Sequence, residues 1–132
     1  ARDGGQVRPG VSDLRFMLPV LYSEGVRKGR PSEERFVEVV STGAARTFVL
    51  YPERGVVREG SLADLVVFDP ELERTASAAA DPSRSDYTLF EDWTVTGWPV
   101  TTIRRGEVVY EDGRVTGQPG TGRPAERRPR GA

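Results

Sequence analysis

The chain has 132 residues and contains neither histidine nor cysteine. Zinc centres are built mainly from imidazoles and thiolates, so an ordinary structural or catalytic zinc site is excluded from this stretch. Ser–His and Cys–His nucleophile pairs are excluded with it. Only Asp, Glu, Lys, Ser, Thr and Tyr remain for side-chain chemistry. A disulfide framework is excluded too, which accords with a reducing, cytoplasmic setting. Lysine is almost missing: Lys28 is the single one among 19 cations. That bias towards arginine reads as coding bias before any functional demand. No apolar run approaches the ~20 residues of a membrane span. Ala1-Arg2-Asp3-Gly4-Gly5 carries no apolar signal core and no initiator methionine, so the expectation is a stretch that begins inside a longer protein.

The 19 cations face 20 acids, for a net charge of -1. Nothing in that balance draws the chain to nucleic acid or to an anionic membrane. The length suits one modest core.

Helical signals come first along the chain. Ser12 is a candidate N-cap for a helix from Asp13 towards Val26, with Leu14, Met17, Leu18, Leu21 and Tyr22 at helical spacing. Pro19 predicts a kink or a break there. Ser32 caps a second helix, with Glu33 and Glu34 in the first turn, where the dipole favours acids. Ser41-Thr42-Gly43 interrupts it, and a short third helix spans about Ala44–Leu50. The texture then turns to short strands. Val56–Glu59 suits a strand between Gly55 and Gly60, and Leu65–Phe68 reads as a buried strand ending at Asp69-Pro70. Residues 71–85 are weakly patterned. Val95–Arg104 and Glu107–Tyr110 pair across Arg105-Gly106, and Glu111–Arg114 forms a further hairpin turn. Beyond Gly117, prolines and glycines among arginines predict an extended or disordered tail. This order fits a free α+β domain or a seam between a helical layer and a small sheet.

Several residues invite a chemical reading. Asp64 and Asp69 flank an apolar strand, but five residues apart they point to opposite faces, and capping of turns is the expected role. Glu33, Glu34, Arg35 and Glu38 read as a solvated helix face. Tyr22-Ser23-Glu24 reads as a helix end packed on a larger body. Trp93 and Trp98 read as core or interface anchors rather than ligand stacks. Arg123, Arg127, Arg128 and Arg130 lack interleaved aromatics and make a poor nucleic-acid patch. Gly4-Gly5 and Gly120-x-Gly122 are not spaced as phosphate loops.

Longer elements are more distinctive: Pro9-Gly10-Val11-Ser12-Asp13-Leu14, Leu18-Pro19-Val20-Leu21-Tyr22-Ser23-Glu24-Gly25-Val26, Leu50-Tyr51-Pro52-Glu53-Arg54-Gly55, and Gly60-Ser61 with Ala63-Asp64-Leu65-Val66-Val67-Phe68-Asp69-Pro70. Together they resemble the C-terminal portion of the dihydropyrimidinase and D-hydantoinase family of cyclic amidohydrolases. The match runs in order from Pro9 to about Arg123. The resemblance implies an α+β fragment: C-terminal helices of a metal-dependent (β/α)₈ hydrolase barrel, then short strands of its small β-sandwich. Residues 1–54 would belong to the barrel, 55–116 to the composite sandwich, and 117–132 to an extended tail.

The implied parent reaction is hydrolysis of a ring amide C–N bond in a dihydropyrimidine or hydantoin, giving an N-carbamoyl amino acid. The family uses zinc or another divalent metal pair, held by residues upstream of this stretch. The chain itself is expected to carry no catalytic residue, no metal ligand and no cofactor. Lys28, between two helices among Arg27, Gly29 and Arg30, is no substitute ligand. Gly4 and Gly5 are the only candidate substrate-binding residues, through backbone groups. The implied partners are the missing N-terminal barrel, homo-oligomer subunits and, in the complete protein, a small cyclic amide. Two alternatives stand beside this reading: a non-catalytic, dihydropyrimidinase-related protein kept for oligomerisation or binding, and part of an allantoinase-like amidohydrolase. In either of the barrel readings, helices 13–50 should leave an apolar face open.

Some residues depart from the family pattern. Val49 and Asp92 stand where it usually has Gly, Leu62 where it has Asp, Gly43-Ala44 where it has Asn-Pro, and Pro124-Ala125 where it has an apolar-aromatic pair. If the backbone at Val49 and Asp92 takes positive φ, both are strained.

Overall fold

The computed structural model describes residues 13–80 and 86–126. Helix α1 runs Leu14–Leu21 and passes into a π-helical turn, Tyr22–Val26. Pro19 sits inside α1 without ending it. The predicted break is instead a widening. Arg27 N donates to Tyr22 O at 3.0 Å, and Arg30 N donates to Gly25 O at 3.0 Å, both five residues back. Helix ends often widen in this way once the i→i−4 ladder has been disturbed. Ser12, the expected cap, lies outside the described residues; Asp13 precedes the helix.

Helix α2 spans Glu33–Val37, and Ser32 Oγ accepts from Arg35 N at 3.3 Å, as its position predicts. A second π-helical turn, Glu38–Thr42, carries the chain into α3, Gly43–Thr47. The Ser-Thr-Gly interruption is therefore a change of helical register and not a gap. Helix α3 also ends earlier than Leu50. Val49 turns left-handed at φ 59°, and Leu50 N reaches back to Ala45 O at 2.8 Å.

The sheet is a four-stranded antiparallel meander in the order β1-β2-β3-β4. Its strands are β1 Leu65–Thr75, β2 Thr94–Arg104, β3 Glu107–Glu111 and β4 Arg114–Val115. Arg105 and Gly106, then Asp112 and Gly113, all take positive φ. Tight hairpins whose turns match strand twist need this at both central positions.

Three strand expectations need correction. Val56–Glu59 forms no strand; two glycines at positive φ, Gly55 and Gly60, close it into turns, and Val57 is exposed. β1 does not stop at Asp69-Pro70 but continues to Thr75 through an irregularity between Asp69 and Glu73. Pro70 has no N–H, and Asp69 Oδ1 accepts from Glu71 N at 2.9 Å and Leu72 N at 3.1 Å. The carboxylate thus satisfies donors that the bulge removes from the ladder. Nor is Leu65–Phe68 buried, since Val66 and Val67 are about half exposed.

The core sits where α1 crosses β2. Phe16, Ala76, Val95 and Trp98 are buried together, with Val20, Leu72 and Phe90 packed around them. Phe16 makes edge-to-face contacts with Phe90 at 6.3 Å and Trp98 at 6.1 Å between ring centroids. Truncating such a ring costs about 3–5 kcal/mol. A second aromatic group joins Tyr22 to Phe68 at 4.9 Å and to Phe36 at 5.6 Å, linking the helices to β1.

The close approach of Tyr22 to the sheet depends on Gly97. This residue has φ 99°, and a Cβ there would lie 2.3 Å from Tyr22 Cδ1. Past β4 the tail is fastened as far as it is described: Gly117 N bonds Val109 O at 3.1 Å, and Arg105 Nη2 bonds Thr121 O at 2.9 Å.

Candidate functional site

The polar residues at the helix–sheet seam serve packing. Ser23 is buried, and its Oγ accepts from Thr96 N at 3.2 Å, joining the π-turn to β2. Tyr22 donates its hydroxyl to Glu33 Oε1 at 3.3 Å. Burial pushes the Tyr22 phenol above its ordinary value, and the neighbouring Glu33 carboxylate adds to the rise. A phenol held neutral in this way is a hydrogen-bond donor and not a base. Glu24 pairs with Lys28 one helical turn on, so the single lysine is a surface partner.

Asp64 and Asp69 do not meet in a common site. Asp64 Oδ1 accepts from Arg105 N at 2.7 Å, and its other oxygen pairs with the Arg54 guanidinium. Asp69 caps the β1 bulge. Both act on backbone geometry, as their spacing predicts.

Trp98 is a core residue, with the guanidinium carbons of Arg15 and Arg74 lying 5.6 and 5.5 Å from its ring centroid. Trp93 is half exposed and packs on Phe90. Gly4, Gly5, Arg127, Arg128 and Arg130 lie outside the described residues.

A metal pair does not fit what remains. Among the described residues, no three of His, Cys, Asp and Glu come together as a possible ion site. With no His or Cys in the sequence, the imidazole and thiolate donors that zinc centres favour are missing from this chain.

The most distinctive surface is apolar. Leu14, Met17 and Leu21 follow one another along one face of α1, and with Val20, Leu89 and Phe90 they line a groove. Leu14 is 82% exposed, Leu89 63%, Met17 47% and Leu21 45%. Val37, Val39 and Phe48 lie open on the following helices. The groove has a fixed wall. Asp13 Oδ1 accepts from Thr88 Oγ1 at 2.6 Å and its Oδ2 from Leu89 N at 3.2 Å, tying the start of α1 to the 88–90 loop. Sequence reasoning missed that tether, because the two partners lie some 75 residues apart. The helical spacing of its apolar residues is legible in the sequence, and their exposure is what the family resemblance implies.

Residues 7–109 match the family model described as "Amidohydrolase family". The chain belongs to the amidohydrolase family. Its relatives narrow the comparison further. It is 45% identical over 130 residues to a D-hydantoinase of Geobacillus stearothermophilus, covering 98% of this chain and 28% of that one. It is 41% identical to the dihydropyrimidinase of Rattus norvegicus over 84% of this chain and 21% of that protein. Human dihydropyrimidinase-related protein 5 is 40% identical over 92% of this chain and 22% of that protein.

Among solved structures, a D-hydantoinase (dihydropyrimidinase) from Thermus sp. superposes with a TM-score of 0.86 at 36% identity, over 92% of this chain and 26% of that chain. The α+β arrangement of helices and antiparallel sheet is thus that of hydantoinase structures. The amidohydrolase chain spans roughly a quarter of the length of these relatives.

Proposed function

We propose that this chain is the C-terminal scaffold of a cyclic amidohydrolase that opens dihydropyrimidine or hydantoin rings. On this reading residues 1–54 close the barrel, residues 55–116 complete the small sandwich, and 117–132 run as a tail towards a neighbouring subunit. Gly4 and Gly5 are the candidates to contact the substrate through backbone groups. The family's divalent metals and the ring-opening step belong to the rest of the protein, since the residues here do not fit a metal pair.

The observation that carries the reading is the open apolar face of α1, with Leu14, Met17, Leu21 and Leu89 exposed. Apolar patches of this kind on a small chain usually mark a surface meant to be covered. Their presence in a chain that matches 26% of a D-hydantoinase structure supports a barrel as the cover.

The test is complementation. A related D-hydantoinase lacking its matching segment is co-expressed with this chain, and metal-dependent opening of dihydrouracil or hydantoin is followed. Activity from the pair and from neither part alone is the expected result. Ring opening by the 132-residue chain by itself, or no association between the two parts, refutes the proposal.

A second reading, a binding or oligomerisation role without catalysis, is favoured by the 40% identity to dihydropyrimidinase-related protein 5. A His-x-His on a strand and a strand-borne lysine in the upstream coding sequence decide for the enzyme.

A further inference from the structure

The tail segment 118–123 closes over the β2–β3 hairpin to make a cleft lined by Arg104, Arg105, Glu107, Thr121 and Arg123. Its shape is held by hydrogen bonds. Thr121 Oγ1 donates to Gln118 O at 2.8 Å and accepts from Arg104 Nη2 at 2.6 Å, while Thr121 O accepts from Arg105 Nη2 at 2.9 Å. Gly120 takes φ +80° with open space where a Cβ would be, which lets the loop turn tightly against the hairpin.

The charges in this cleft do not balance. Glu107 is its only carboxylate and lies 3.4 Å from Arg104 Nη2. Arg105 uses one terminal nitrogen on Thr121, and its backbone N–H is held by Asp64. Arg104 Nε is buried away from the cleft, so Arg104 faces it through its terminal nitrogens, and Arg123 lines its other side. Three guanidiniums face one carboxylate in the lining, and the neighbouring Asp64 carboxylate is already paired with Arg54.

We propose that this cleft is a binding site for a phosphate-class dianion, either inorganic phosphate or a small phosphate monoester. Guanidinium forks match tetrahedral oxyanions in geometry as well as charge. Thr121 pre-sets the spacing of Arg104 and Arg105, so only Arg123 must be ordered when the anion enters. The site is separate from the apolar face of α1 and does not depend on the ring-opening proposal.

The test is titration of the 132-residue chain with inorganic phosphate, and separately with phenyl phosphate, against sodium chloride of matched ionic strength. Calorimetry reads the affinity. Saturable binding is expected, weakened about tenfold or more in Arg123→Ala and in Arg105→Gln, because each removes a charged hydrogen-bonding group. Arg114→Ala, an exposed arginine on β4 outside the cleft, should leave it unchanged. Tighter binding of phenyl phosphate identifies a monoester as the ligand, and equal or weaker binding identifies the free ion; both support the site. No saturable binding, or an equal loss in Arg114→Ala, overturns it. Circular dichroism of each variant separates loss of the site from loss of the fold.

Discussion

Gly97→Ala should be among the most damaging single-methyl changes at the described glycines. The added Cβ would lie 2.3 Å from Tyr22 Cδ1 and 2.9 Å from both Tyr22 Cε1 and Phe68 Cζ. Carbon atoms pack at about 3.5–4.0 Å, so more than an ångström must be found. Tyr22 cannot swing away: it is buried, its ring is flanked by Phe36 and Phe68, and its hydroxyl is bonded to Glu33. Overpacking of this kind costs about 1–3 kcal/mol. The φ of 99° adds a backbone penalty of about 1–2 kcal/mol for any residue with a Cβ. The expected loss is therefore about 2–5 kcal/mol, a large share of the 5–15 typical of a domain.

Gly106→Ala supplies the reference. Its φ is +84°, but nothing lies within 4 Å of the new Cβ, so only the backbone penalty applies. Urea unfolding of the two variants measures the difference. A Tyr22→Ala background should shrink the Gly97→Ala loss towards that of Gly106→Ala, because the colliding ring is gone. Equal losses at Gly97 and Gly106 in the parent chain would refute the close-packing argument.

Val49→Gly and Asp92→Gly should each stabilise the chain, by about 1 kcal/mol, since φ of 59° and 64° suits glycine and strains a β-branched residue most; thermal unfolding should show the larger rise for Val49. Ser32→Ala should cost about 1 kcal/mol through the lost N-cap bond to Arg35 N. Separately from that cap bond, the Ser32 side chain and then a backbone hydrogen bond hold the Glu34 carboxyl below its ordinary value, so the stabilisation from this carboxylate is present above the usual glutamate range and fades as pH falls through the depressed value. An NMR titration of Glu34 should move back towards the ordinary value in Ser32→Ala. Leu14→Lys should change stability by no more than about 0.5 kcal/mol, because the side chain is 82% exposed. It should also lower binding of a hydrophobic dye; unchanged dye binding would mean that the α1 face is not the open apolar surface.

The signals that proved legible were short-range. Gly106 and Asp112-Gly113 mark their turns because Gly, Asn and Asp tolerate positive φ best, whereas Arg105 takes it at φ 50° without being one of them. Ser32 with Glu33 and Glu34 marks a helix start because the cap and the dipole act within one turn. Against the family the chain resembles, Val49 and Asp92 depart at positions that usually hold glycine, and both take the left-handed backbone that makes them costly. The misjudged elements depended on distant partners. Leu65–Phe68 reads as a finished strand because Pro70 follows it, yet β2 pairs on past the bulge through Glu73, Arg74 and Thr75. Val56–Glu59 has strand-forming residues but no strand beside it.

By itself, the sequence determines which side-chain donors this chain lacks and where several of its local turns and caps fall. Missing histidine and cysteine settle its want of thiolate and imidazole ligands, since that is a matter of composition and not of shape. Only the tertiary structure decides which groups meet. Gly97 becomes critical because Tyr22, 75 residues away, lies against it. Arg104, Arg105 and Thr121 become one cleft because the tail folds back over the hairpin. The physical reason is the same in both cases: van der Waals contact and hydrogen bonding act over a few ångströms, and chain order says nothing about such distances until the sheet and helices have packed.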